Sequence, residues 1–291
     1  AEFAYYAKIE EKKQEDKDDD KEDEVDDEKE DGEKEDNIVK WDSIQLQIYD
    51  GERLIRTLKR KSPDSTGIYK WNWYMREKGV DYPSRNIRNR RSEPSGVSVK
   101  PGTYRAVMTF GDQTSEKNIT VKSDPRLDVS QENINQVYKV LKELEQMQQT
   151  AADAVKQLVE SKNIAGDYQK RLKELDKDKY REEIKLSKEI TKSIDSLIDK
   201  FVGKVDKRQG ITRNPEVTPM QLLGQARGYV GSRQNGITST EKTLIKNAET
   251  ALDDVLSKTN SFFDDEWTAY RTKMEALKMN PFKETENFKL D

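Results

Sequence analysis

The run Ile44-Gln45-Leu46-Gln47-Ile48-Tyr49-Asp50-Gly51 decides the fold class. Ile44, Leu46 and Ile48 alternate with Ser43, Gln45 and Gln47, which gives the segment one apolar and one polar side, the period-two signature of a half-buried strand. Asp50-Gly51 supplies the chemistry of a tight hairpin turn and hands the chain to a second strand from Arg53 to Leu58. Downstream, Gly67 to Tyr74 reads as a strand with Tyr69, Trp71 and Trp73 on one face and Ile68 and Tyr74 on the other. Pro101-Gly102-Thr103 turns into Tyr104 to Phe110, and Gly111-Asp112 reverses the chain into Lys117 to Val121. Upstream, Glu2 to Lys8 places Phe3 and Tyr5 on one face and Ala4 and Tyr6 on the other. Short strands between turn signals predict an antiparallel β-sandwich over residues 1–9 and 38–125.

Between the first strand and the rest lies an acidic block. Residues 10 to 36 hold 18 acidic and 6 basic side chains, a local charge of −12, so the mild −4 of the whole chain is a cancellation. With almost nothing apolar to bury, residues 10–37 are expected to form a disordered linker. A calcium loop is the alternative, but it needs spaced oxygen ligands and a turn-forming glycine, which Asp18-Asp19-Asp20 lacks.

Composition limits the chemistry. Histidine and cysteine are both absent, which removes disulfides, Cys/His zinc sites and Ser-His or Cys-His nucleophilic pairs formed within the chain. With 32% of its 291 residues hydrophobic and 38% charged, the chain can fill one modest sandwich core and one helical seam. The expectation is therefore no bound cofactor and no catalytic residue, although a glycosidase needs only two carboxylates and is not excluded by composition. No apolar run reaches the roughly 18 residues of a membrane span. The chain begins directly in a strand, without Met, and reads as a fragment of a longer protein.

Asp124-Pro125 closes the β region, because proline lacks the N–H of a ladder and constrains the residue before it. Residues 126–280 then read as helical. Asp128 or Ser130 caps a helix whose Ile134, Val137, Leu141, Leu144, Ala151, Val155 and Leu158 step by threes and fours, with Gln148 in the vacant seam position. Asn163 to Gly166 is the expected break. A second helix then carries Leu172, Leu175, Ile184, Ile190, Ile194, Ile198, Phe201 and Val205. Thr218-Pro219-Met220-Gln221 is a capping box opening a short helix through Val230. Thr238-Ser239-Thr240-Glu241 is another, starting a third long helix with Ile245, Ala248, Leu252, Val255, Phe262, Tyr270, Met274 and Leu277 inward, ended by Asn280-Pro281. Three long helices with compact links predict an antiparallel three-helix bundle, a multidomain α+β chain and a C-terminal tail over 281–291.

Two groups of side chains are candidates for recognition. Arg85, Arg88, Arg90 and Arg91 cluster in a polar loop from Gly79 to Gly96 and form a candidate interaction surface. Without an aromatic platform or a nucleic-acid-binding fold around them, no nucleic-acid partner is expected. Trp71, Trp73 and Tyr69 could stack on sugar rings, but same-face aromatics on a central strand ordinarily fill the core.

The order of Ile44 to Gly51, Arg53-Leu54-Ile55-Arg56, Gly67 to Trp73 and Pro101-Gly102-Thr103-Tyr104 resembles the immunoglobulin-like module of the flagellar hook-capping protein family. It is more similar still to the C-terminal region of bacterial sortilin-like, BNR-repeat β-propeller proteins of Bacteroidota, often labelled glycosyl hydrolases. Tyr5-Tyr6, the acidic block, the sandwich, Asp124-Pro125-Arg126 and the helical tail stand in the order that family shows. The acidic block and the arginine-bearing loop depart from its pattern.

The resemblance implies an Ig-like sandwich followed by a helical tail, acting as a non-catalytic accessory region that packs on an upstream β-propeller of the same polypeptide. It implies export to the periplasm, outer membrane or surface of a Gram-negative cell, with other envelope proteins as further partners. A carbohydrate-binding or glycoside-hydrolase-associated module is the alternative. In that setting Asp42-Ser43-Ile44, Asp64-Ser65-Thr66 and Asp195-Ser196-Leu197 match the short O-glycosylation motif of Bacteroidota envelope proteins, making Ser43, Ser65 and Ser196 candidate acceptors.

Overall fold

The computed structural model describes residues 1–8, 43–87, 92–205, 216–233 and 235–277. The acidic block, Arg88, Arg90, Arg91, the helix stop at Asn280-Pro281 and the C-terminal tail lie outside the described residues. The fold is mixed α+β with antiparallel sheets. Its strands are β1 (Glu2–Ala7), β2 (Ser43–Asp50), β3 (Arg53–Lys61), β4 (Gly67–Asn72), β5 (Arg76–Lys78), β6 (Ser95–Ser98), β7 (Gly102–Phe110) and β8 (Gln113–Val121). Its helices are α1 (Gln131–Asp176), α2 (Arg181–Val202), α3 (Pro219–Gly231) and α4 (Ser239–Phe262), the last running through a π-helical turn, Phe263–Trp267, into α5 (Thr268–Glu275). Contacts divide the chain into two compact units, Ala1–Lys78 with Pro101–Ser123, and Gly79–Lys100 with Asp124–Asp291.

In the first unit the order β3-β2-β7-β8 makes an antiparallel sheet. The β2–β3 and β7–β8 hairpins turn through Gly51-Glu52 and Gly111-Asp112, with Asp50 paired to Arg53 and Phe110 to Gln113, and with Gly51 at φ 58° and Gly111 at φ 63°. The period-two pattern of β2 places Ile44, Leu46 and Ile48 in the core, where Ile48 lies opposite Ala106 and Leu46 opposite Met108. Among the described residues β1 pairs with β4 alone, in the register Phe3 to Trp71, Tyr5 to Tyr69 and Tyr6 to Ile68.

Two side chains pin this ribbon to the sheet. Trp73, just past β4 and 2% exposed, packs edge-to-face on Tyr104 with ring centroids 5.7 Å apart, and its indole N–H donates to the Arg76 carbonyl at 3.0 Å. Arg60 of β3 donates to the Tyr5 hydroxyl and to the Lys70 carbonyl, and its guanidinium lies 4.9 Å from the centroid of the Trp71 ring. Glu77 is buried and held by both terminal nitrogens of Arg53, at 3.0 and 3.2 Å.

In the second unit the apolar stripes meet in one core containing Leu144, Val155, Leu158, Leu172, Ile194, Phe201, Leu252 and Phe262. The short α3 contributes Met220, Leu223, Ala226 and Val230, so a fourth helix joins the three long ones. Both capping boxes form as the sequence predicts: Thr218 accepts from the Gln221 N–H, while Glu241 reaches back to the Thr238 N–H at 2.9 Å. Ser130, rather than Asp128, caps α1 by accepting from the Asn133 N–H.

Three expectations are corrected. The break expected at Asn163 to Gly166 is absent; α1 runs on for 46 residues to Asp176. Buried Leu158, Ala165 and Leu172 keep its stripe continuous across Gly166, and core contacts outweigh a weak helix former. The turn falls instead at 177–180, where the Asp176 carboxylate accepts the N–H groups of Asp178 and Lys179. Leu175 and Val205, expected on the buried stripe, are 41% and 62% exposed, because the first lies at the end of α1 and the second beyond the Gly203 stop of α2.

The π-helical turn is a feature that periodicity did not reveal. It widens the step between core-facing Phe262 and Trp267 to five residues, after which Tyr270 and Met274 resume the stripe. With α spacing, Glu266 would stand where Trp267 does, so the extra residue keeps Asp264, Asp265 and Glu266 in water.

Candidate functional site

The β1–β4 ribbon has two unlike faces. Phe3, Tyr5, Tyr69 and Trp71 are half-buried on the side that Arg60 covers, with the rings of Tyr5 and Tyr69 stacked 5.8 Å apart. On the opposite side the cross-strand pair Tyr6 and Ile68 stands 65% and 78% exposed, and Tyr74, just beyond β4, is 79% exposed. Ala4 and the ion pair between Lys70 and Glu2, at 2.8 Å, border this pair; the Glu2 carboxylate holds the Lys70 ammonium above its ordinary pKa. Adjacent exposed apolar side chains on a sheet face make a surface that a partner can cover. The period-two pattern places Tyr6 opposite Tyr5 on its own strand and Ile68 with Tyr74 on theirs; the pairing of β1 with β4 brings Tyr6 and Ile68 together on one face, where both are exposed.

The row that could have stacked on sugars is occupied internally. Trp73 is buried against Tyr104, and Trp71 lies beneath the Arg60 guanidinium.

The segment from Gly79 to Lys100, which includes the polar loop expected from Gly79 to Gly96, groups with the helices and contains β6. Arg85 binds the C-terminal end of α2: it pairs with Asp199 at 2.6 Å and donates to the Gly203 carbonyl, where a cation also complements the helix dipole. Asp81 is held on α1, its N–H donating to Gln149 Oε1 at 3.0 Å and its carbonyl accepting from Gln148 Nε2 at 2.9 Å. Gln148, the polar residue in the α1 seam, therefore marks where the segment attaches. Lys100 reaches Asn135 at 3.1 Å and lies 5.0 Å from the Tyr138 ring centroid. The structure thus turns Arg85 inward, and it describes none of the other three arginines.

Of the candidate acceptor serines, Ser43 is exposed at the start of β2 and Ser196 is exposed within α2. Ser65 is exposed in the β3–β4 connection, its hydroxyl 3.0 Å from that of Tyr69. Ser43 and Ser65 belong to the first unit and Ser196 to the second.

The second unit buries two carboxylates in ion pairs, one of which ties α3 to α1. Glu145, 1% exposed, accepts from Lys142 at 2.9 Å and from Arg227 of α3 at 3.1 Å. Glu241, fully buried, takes the Thr238 hydroxyl and N–H and the Arg233 guanidinium; the Thr238 hydroxyl bond leads in holding its pKa down to about 2. Ser187 and Tyr270 share a buried hydrogen bond of 3.0 Å, and burial pushes the Tyr270 phenol above its ordinary pKa. Glu241 is legible in the sequence through its capping box. Glu145 is not, because its partner Arg227 is 82 residues away. Among the described residues, no three Asp or Glu side chains gather closely enough to hold a metal ion. No helix among them is long and apolar enough to cross a membrane.

Comparison with protein-family models, curated proteins and solved structures finds no match to this chain.

Proposed function

We propose that this chain is a non-catalytic accessory region of an exported or cell-envelope, sortilin-like β-propeller protein. In this reading the first unit is an Ig-like sandwich that packs on the propeller, and the helical unit is an antiparallel bundle that presents a docking surface to other envelope proteins. The observation that carries it is the solvent-exposed Tyr6 and Ile68 pair, extended by Tyr74, on the outer face of the β1–β4 ribbon. Covering Ile68 alone would return about 1.5–3 kcal/mol. The buried Glu145, which Arg227 ties to α3, serves packing between helices, a supporting role that suits a scaffold.

The test is co-elution of this chain with its separately expressed upstream region on size exclusion. Wild type should form a complex, and Y6K/I68K, altered only at exposed positions, should lose it while keeping its circular dichroism. Separate elution of the wild-type partners would overturn the reading.

A further inference from the structure

We infer that the groove between α1 and α4 is a docking site for a basic amphipathic helix of a partner protein. The two helices present matching steps: Glu143 to Thr150 on α1 and Glu249 to Leu256 on α4 line the groove at i, i+3, i+4 and i+7. Its volume is about 350 Å³. Seven residues of helix rise about 10 Å, so the groove is two turns long and takes a helical ligand of similar length.

The floor is apolar. Leu252 is part of the core, while Met147 and Leu256 are only partly buried and close the groove from either helix. Methionine is flexible and polarisable, and it adapts to incoming side chains of varied shape. The rim is acidic: Glu143, Glu249 and Asp253 are exposed, and among the described residues no Lys or Arg lines the groove. Among the described residues Glu249 and Asp253 take part in no ion pair, and Glu143 has only Lys139, at 3.9 Å.

An apolar floor beneath a rim of one sign selects its occupant. A helix with apolar residues at i, i+3, i+4 and i+7, flanked by Lys or Arg, fills the floor and neutralises the rim. An acidic helix is repelled, and a neutral one leaves the carboxylates facing apolar surface. This surface is independent of the Tyr6 and Ile68 patch, so either can fail without the other.

The test uses the full chain and a fluorescein-labelled peptide of Leu, Lys and Ala about 14 residues long, with Leu at the helix-in-groove spacing. Its controls are a scrambled peptide of the same composition and a version with Glu replacing Lys. The acidic block attracts ordered and scrambled Lys peptides alike, so the difference between them reports the groove. The ordered peptide should bind at least about tenfold tighter than the scrambled one, and the Glu version should not bind. E249K/D253K should remove most of that preference, and Met147→Glu, which places a charge on the floor, should remove it independently. Hydrogen exchange of the wild-type complex should slow along 143–150 and 249–256. Equal binding of ordered and scrambled peptides, unchanged preference in a folded variant, or protection elsewhere would overturn the inference.

Discussion

Replacing Gly166 by alanine should stabilise the helical unit, and the sign of the effect tests the course of α1. Gly166 lies inside a continuous helix, and a methyl group built on its Cα meets nothing within 4 Å. The substitution therefore neither clashes nor gains packing, leaving the difference in helix propensity of about 0.8–1 kcal/mol in favour of alanine. For a unit of this size that raises the melting temperature by about 2–4 °C. Had the helix ended here in a left-handed glycine, alanine would instead cost about 1–2 kcal/mol. Urea unfolding followed by far-UV circular dichroism measures the difference, with an unchanged m-value showing that only stability moved. Gly236→Ala is the matched control: Gly236 has φ +83°, and an added methyl would sit 2.9 Å from the side-chain oxygens of Asn133 and Gln136, so it should destabilise. A loss of stability in Gly166→Ala would refute an uninterrupted α1.

Further outcomes follow from the buried groups and the π-helical turn. Glu241 has a folded pKa held at about 2, below its unfolded value of 4.5, so its contribution is complete above pH 4.5 and is lost as pH falls towards 2. Glu241→Gln should flatten the acid slope of stability in that window; an unaltered slope would show that the Thr238 and Arg233 bonds do not set it. Tyr270 has its pKa raised by burial, so its contribution is complete below about pH 10 and is lost as pH rises further. Tyr270→Phe should remove that alkaline dependence at a cost of about 0.5–1.5 kcal/mol at neutral pH, since Ser187 keeps its bond to the Glu183 carbonyl. Deleting Asp265 should convert the π turn to α-helix with Tyr270 and Met274 still buried and stability changed by about 1 kcal/mol or less. A loss above about 3 kcal/mol, or Tyr270 becoming exposed to a quencher, would show that the turn does not act as a one-residue insertion.

What the sequence determined by itself was local. The alternation of Ile44, Leu46 and Ile48, the glycine turns at 51 and 111, the caps at Thr218 and Thr238 and the stripes of α1, α2 and α4 all depend on residues within a few positions of one another. Backbone geometry and side-chain spacing suffice to read them. The tertiary structure decided whatever depends on partners far along the chain. It carried α1 through Gly166, because core contacts on both sides outweigh one residue's propensity. It turned Arg85 towards Asp199, 114 residues away, and paired Tyr6 with Ile68, 62 positions further along the chain, on an exposed face of the β1–β4 ribbon. It also brought Glu143 and Glu249 to the rim of one groove. The faces of each element are written in its own period, but which faces meet, and which are left for something else to cover, is settled only when the whole chain has packed.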